Sequence, residues 1–182
     1  MGAIRLPSPV KLICGMIAAD PQRFAEAEAA LTERFGAVDM RSDVLPFDLT
    51  TYYYKEMGAP LFRQFIAFEQ FIDPSTLPDV KRWTNTLEER FAAVRDGQTC
   101  RRINLDPGYV NAAKLILATT KDHAHRVYLR DGIFAEVTLT FRSQSFQPMD
   151  WTYPDYRTAA YITFFNAVRA RYLRAERQNA KV

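Results

Sequence analysis

The sequence predicts a mixed α+β fold in one domain, and three features predict it. Apolar runs of strand-like composition alternate with segments whose apolar residues recur at helical spacing. Breakers fall between them, at Asp20-Pro21, Gly36, Pro46, Asp73-Pro74 and Gly97. An Asp131-Gly132 pair splits two further strand-like runs, as a two-residue hairpin turn would.

Taken in order, "VKLICGMIA" from Val10 to Ala18 reads as a buried strand, and Asp20 as the cap of a helix running to Gly36. Within that helix Phe24, Ala27, Leu31 and Phe35 share a face. "AVDMRSDVLPF" alternates Val38, Met40 and Val44 around polar residues, which suggests a half-buried strand ending near Pro46. "FDLTTYYYKEMGAP" is a turn-rich connection. Leu61 to Ile72, rich in aromatic and branched residues, is a long strand. A second helix follows Ser75 and places Leu77, Val80, Trp83 or Thr84, Leu87 and Phe91 on one side. "TCRRINLD" is a short strand. These elements read β-α-β-β-α-β, the order of a ferredoxin-like split unit spanning residues 10–106.

Residues 107–175 form an extension within the same 1–182 domain, because no linker separates them. Asp106 before Pro107 predicts an N-cap and a helix through Ala118. The Asp131-Gly132 hairpin comes next. Thr152, with Asp155 three residues on, predicts a capping box opening a last helix, on which Tyr156, Ala160, Phe164 or Phe165, Val168 and Tyr172 share a face. The extension thus reads α-β-hairpin-α and should extend the sheet or pack beside it.

Composition narrows the function classes. The 182 residues are 48% hydrophobic and 25% charged, with 24 basic against 21 acidic side chains. Such a near balance gives no whole-molecule field that demands nucleic acid or an anionic membrane. Much of the basic excess sits in the tail, where Arg169, Arg171, Arg174, Arg177 and Lys181 oppose only Glu176 and read as a solvated helix end. Cys14 and Cys100 lie far apart in apolar surroundings, so buried thiols in a reducing compartment are expected. No apolar run suits a signal peptide or a membrane span, and the expectation is a cytoplasmic protein. Phosphate-binding loop, dinucleotide fingerprint and serine nucleophile elbow are all missing. No motif assigns a cofactor.

The candidate chemistry concentrates around "KDHAHRVYLRDGIFAEV". His123 and His125 at alternate positions would share a strand face and could ligate a metal, but no nearby Cys or His supplies a third ligand. The hairpin register favours another arrangement. With Asp131-Gly132 as the turn, Arg130 pairs with Ile133, Val127 with Glu136 and His125 with Thr138, which puts His125 and Glu136 on one face as an acid/base pair. A buried polar cluster explains the same letters.

Lys114, in the expected helix, lies among apolar residues and must reach a carboxylate, a ligand or water. Asn104, Asp106, Lys114, Lys121 and Arg126 could converge on one anion near that helix's N-terminus. "FDLTTYYYKEMG" offers Asp48 and Tyr53 as walls of a ligand cleft, and "WTYPDYR" offers Trp151, Tyr153 and Arg157 as a second wall or as cap chemistry alone. The leading expectation is a site for an anionic or phosphorylated small molecule. A non-catalytic assembly module, pairing copies of the chain through an exposed sheet edge, is the rival. RNA binding is the minor alternative, since "LICGMI" and "RQFIAFEQF" match the stacking motifs of RNA-recognition sheets poorly.

"KLICGMIAAD", "LPFDLTTYYYKEMG", "RRINLDPGYVNAAKLILATTKDHAHRVYL", "GIFAEVTLTF" and "WTYPDYR", in this order, resemble an uncharacterised bacterial family, domain of unknown function 4416. The resemblance runs from about Val10 to Tyr172. It implies a single-domain cytoplasmic protein and brings no catalytic residues to carry over.

Overall fold

A computed structural model describes residues 2–95 and 97–179. The fold is mixed α+β. Its frame is a nine-stranded sheet with hydrogen-bonded order β11-β10-β8-β7-β1-β4-β2, to which β3 adds on β4 and β9 on β10. The strands are β1 (Val10–Ala18), β2 (Val38–Arg41), β3 (Leu45–Pro46), β4 (Phe62–Ile72), β7 (Ile103–Val110), β8 (Lys114–Thr119), β9 (Arg126–Arg130), β10 (Ile133–Arg142) and β11 (Ser145–Pro148). Every pairing is antiparallel. A separate small hairpin joins β5 (Ala93–Arg95) to β6 (Gln98–Cys100). The helices are α1 (Gln22–Phe35), the single turn α2 (Tyr54–Met57), α3 (Leu77–Phe91) and α4 (Ala159–Asn179).

β1 is buried along its whole length, and its two faces feed two cores. Leu12, Cys14, Met16 and Ala18 pack with Ile66, Phe68 and Leu105 against Phe24, Ala27 and Leu31 of α1 and Val80 and Leu87 of α3. Ile13, on the opposite face, joins Phe65, Ala67, Val110 and Leu115 beneath Phe165 and Val168 of α4. The sheet is therefore the middle of three layers. An interior strand with helices on both faces must be apolar at nearly every position, which is what "VKLICGMIA" supplies.

The expected elements of residues 10–72 form, with β2 and β3 replacing one longer strand. Pro21, not Asp20, stands at the N-cap of α1, and Asp20 one residue earlier accepts from Gln22 N through Oδ1 at 3.0 Å. The tail Arg171 pairs with Asp39, Arg169 lies over the Phe141 ring, and Lys181 falls outside the described residues. Cys14 is a buried thiol and Cys100 a half-buried one, both free.

Beyond Ile103 the structure corrects the sequence reading in several places. There is no helix over 107–118: β7 runs through Asp106 and Pro107 to Val110 and turns into β8. The Asn111 carboxamide makes that turn, accepting from Ala113 N and Lys114 N at 2.9 Å each. An apolar run this short fits a buried strand as well as a helix, and the sheet supplies the neighbours that decide. Gly108 fixes the choice, since a Cβ there would lie 2.1 Å from Ile116 O on β8. Pro107 sits where it does no harm, because the β7–β8 ladder pairs only Gly108 to Val110 with Leu117 to Leu115. The Thr152 capping box also fails to form. Residues Asp155–Arg157 make a 3-10 turn, and α4 starts after Thr158. Thr152 Oγ1 instead accepts from Met149 N and donates to Thr138 O. The hairpin turn stands at Asp131-Gly132, both with positive φ, but a bulge follows it. Glu136 consequently faces Arg126 instead of Val127.

Candidate functional site

α4 covers only part of its sheet face. At the other end of that face, where β4, β7 and β10 begin and β8 ends, a cleft of about 510 Å³ opens. The loop carrying Phe47 to Tyr53 forms one wall, and Tyr153 to Tyr156 the other. That volume suits a metabolite-sized ligand.

Arg63 holds the cleft floor together. It is buried, yet it extends from β4 across β1, where Gly15 leaves it room: a Cβ at position 15 would lie 2.6 Å from Arg63 Nη1. Its Nη1 donates to Asp106 Oδ2 at 3.2 Å and to the Tyr156 hydroxyl at 3.3 Å, and Nη2 donates to Asp155 Oδ2 at 3.2 Å. The guanidinium also lies over the rings of Phe47, Phe65 and Tyr156, at 5.1, 5.1 and 5.4 Å from their centroids. Burial pushes the Asp155 carboxyl up, against the pull of Arg63, and pushes the Tyr156 phenol well up. One cation thus balances two carboxylates that belong to separate parts of the chain.

A second cluster closes the side nearest β9. Glu136 Oε2 accepts from Arg126 Nε at 2.9 Å and lies 3.1 Å from His125 Nε2. Arg126 further donates to Lys121 O and to the Tyr153 hydroxyl, so it ties two loops to β10. The His125 ring stacks on Trp151 with centroids 5.5 Å apart.

The third cluster enters from the far face of the sheet. Lys81, Asn85 and Glu88 of α3 line the cleft because β7 and β8 part beyond Gly108. Lys81 Nζ donates to Leu105 O at 2.8 Å, and Glu88 Oε1 accepts from Leu105 N at 2.7 Å. These side chains take the backbone groups that β8 leaves unpaired. Burial pushes the Glu88 carboxyl up. Arg101 stands beside it, gripping Glu56 through Nε and Nη2 and donating to Asn104 Oδ1 at 2.9 Å. The Glu56 carboxyl is held low by that grip. Asn104 is only 4% exposed, and among the described residues nothing accepts from its Nδ2.

Of the residues singled out from sequence, Tyr53, Asn104, Asp106, Lys121, Arg126, Glu136 and Tyr153 line the cleft, whereas Trp151 stacks on His125. Asp48 is exposed on the loop above it. Lys114 sits at the opposite end of β8, across from Thr140, and not beside a helix N-terminus. His125 reaches the cleft only through Glu136. Arg157 serves loop geometry, donating to the carbonyls of Met149, Asp150 and Thr152. His123 stacks beside His125 at 6.0 Å, and among the described residues no group of three metal-ligating side chains gathers.

Sequence reasoning missed Arg63, Lys81, Glu88 and Arg101. Three of these left a signal. Arg63 interrupts the apolar strand "LFRQFIAF", and Lys81, Thr84 and Glu88 put polar groups on the buried stripe of a helix.

The fold and cleft define a mixed α+β protein with a polar cleft at one end of its large sheet. The chain belongs to the family described as domain of unknown function (DUF4416), whose family model matches residues 8–172. No curated protein and no solved structure matches it. No helix among the described residues is long and apolar enough to cross a membrane.

Proposed function

We propose that the cleft binds a small anionic compound, with Lys121 at its mouth, Asn104 and Asp106 on its floor, Tyr53 as part of its wall and Arg126, spent on Glu136, bracing its side. The observation that supports this best is the Asn104 amide, a buried donor that no described protein group satisfies and that lines the cleft. Buried donors are expensive to leave unpaired, so a ligand oxygen there is worth more than a surface contact. Lys121 adds an exposed cation at the rim, donating to the Tyr52 hydroxyl at 3.1 Å and lying 4.4 Å from its ring centroid. Most other cleft charges already have partners, so ligand charge is recognised by the few groups left over. His125 and Glu136 fit a proton-transfer role less well, because Arg126 already neutralises that carboxylate.

We read β7-β1-β4-β2 with α1 and α3 as a ferredoxin-like core, a reading supported by the strand order and by both helices packing on one face. RNA binding fits poorly, since Phe65, in the third core strand, is covered by α4. The two free thiols are in keeping with a bacterial cytoplasmic setting. A second reading, assembly through a sheet edge, is favoured by one observation: Val127 and Tyr128 of β9 are exposed on an edge strand.

The test is thermal melting of the full chain against a panel of small carboxylates and phosphates. A ligand at about a hundredfold its Kd should stabilise by roughly 2.7 kcal/mol, or about 5–10 °C for a domain of this size. Asn104→Ala should reduce that gain. A panel without any stabilising compound, together with a dimer in size-exclusion chromatography, would favour the assembly reading.

A further inference from the structure

The geometry points to an inner carboxylate subsite in this cleft, formed where β7 and β8 part and built from Lys81, Asn85 and Asn104. The inference rests on the ligand-binding reading above and adds where the anion sits and what kind of anion it is.

Lys81 is 7% exposed, and its one acceptor is the neutral carbonyl of Leu105. Among the described residues no carboxylate forms an ion pair with it. Glu88, two helical turns along α3, spends one oxygen on Leu105 N and faces Arg101 with the other, at 3.6 Å. A buried ammonium is ordinarily matched by a hydrogen-bonded carboxylate, because desolvating it alone is costly. Lys81 therefore lacks a hydrogen-bonded carboxylate, with Glu88 acting on it only through space, and it borders the same cleft as Asn104, whose amide protons also lack an acceptor. Lys81 meets the β7 backbone at Leu105, the residue next to Asn104, so the α3 ammonium and the Asn104 amide reach adjacent positions of β7. Asn85, one turn after Lys81 on α3, borders the same space.

Charge selects the kind of anion. Glu88 and Asp106 border the inner end as well, so a dianion would meet two carboxylates for one free ammonium. A monoanion balances Lys81 and meets about half that repulsion. A planar carboxylate can also accept from an ammonium and an amide together, one oxygen to each. The exposed Lys121 at the mouth offers no comparable desolvated site.

The experiment titrates the full chain with acetate and with benzoate, with inorganic phosphate as the comparison, followed by thermal melting and calorimetry. The carboxylates should stabilise saturably and more than phosphate does. Lys81→Met and Asn104→Asp should each weaken carboxylate binding by about tenfold or more, and Lys121→Ala by about threefold or less. Lys81→Met leaves Leu105 O without its donor and should lower the melting temperature of the unliganded protein, so binding is compared where parent and variant are both folded. Phosphate binding as tight as carboxylate binding, with Lys121→Ala abolishing both, would place the anion at the mouth and overturn the inner subsite while the general reading stands. No response to any anion overturns both. If Lys81→Met fails to fold, Asn104→Asp decides: carboxylate binding undiminished in that variant overturns the subsite.

Discussion

Gly15 on β1 and Arg63 on β4 are cross-sheet neighbours in which one residue exists at the expense of the other's side chain. A Cβ at position 15 would lie 2.6 Å from Arg63 Nη1 and 2.8 Å from Phe65 Cε1. The glycine is there because a guanidinium crosses β1 at that point. Gly15→Ala should displace Arg63 or Phe65 and cost about 1–3 kcal/mol, the usual penalty for overpacking a filled interior. Urea unfolding of the variant measures it, and an unchanged midpoint would show that the floor of the cleft is not tightly built.

Arg63 should be among the most sensitive positions in the chain. Its removal leaves Asp106 and Asp155 facing each other's charge with no cation between them. Arg63→Met should destabilise by roughly 3–5 kcal/mol, the cost of breaking a buried ion pair from one side. Adding Asp155→Asn should recover part of that loss, and a double-mutant cycle in urea quantifies the coupling.

His125 and Glu136 should part company when each is truncated. Glu136 is 3% exposed and holds Arg126, whereas His125 is 24% exposed and has Trp151 to stack on. Glu136→Ala should cost about 3–5 kcal/mol and loosen the Lys121 and Tyr153 loops. His125→Ala should cost about 1 kcal/mol or less. Amide hydrogen exchange near residues 121–126 would record the difference, and equal effects would mean that the two act as one unit.

Glu88 sets a pH dependence. Burial pushes its carboxyl up, so the folded protein keeps the proton to a higher pH than the unfolded chain does. That contribution favours folding below the ordinary carboxylate range and is lost as pH rises through the folded-state value. Glu88→Gln keeps an acceptor for Leu105 N without the charge. The variant should therefore gain on the parent at about pH 8 and lose that advantage towards about pH 5, as read from urea midpoints. A difference independent of pH would contradict the assignment.

The order of elements through Ile72 was legible because each strand and helix there carries its own periodicity and its own breaker. Residues 107–118 were not. Asp106-Pro107 has the letters of a helix start, and only Gly108 hints at the strand contact that excludes one. The register beyond Asp131-Gly132 was misread by one residue because a bulge leaves no mark in sequence, and that single step put Arg126 opposite Glu136. Half of the cleft followed from clustering near one segment, as with Lys121, Arg126 and Glu136. Lys81, Asn85 and Glu88 come from α3, which meets the cleft through a parting of strands that no local pattern encodes.

Ligand binding in the cleft turns on the Asn104 amide acting as a donor. Nitrogen-15 NMR of side-chain amides, with the Asn104 signal assigned from Asn104→Ser, observes that group directly during titration with acetate or benzoate. A ligand oxygen at Asn104 should produce a saturable downfield shift of its amide protons at the concentration that raises the melting temperature. An Asn104 signal that stays in place while the protein is stabilised would contradict it.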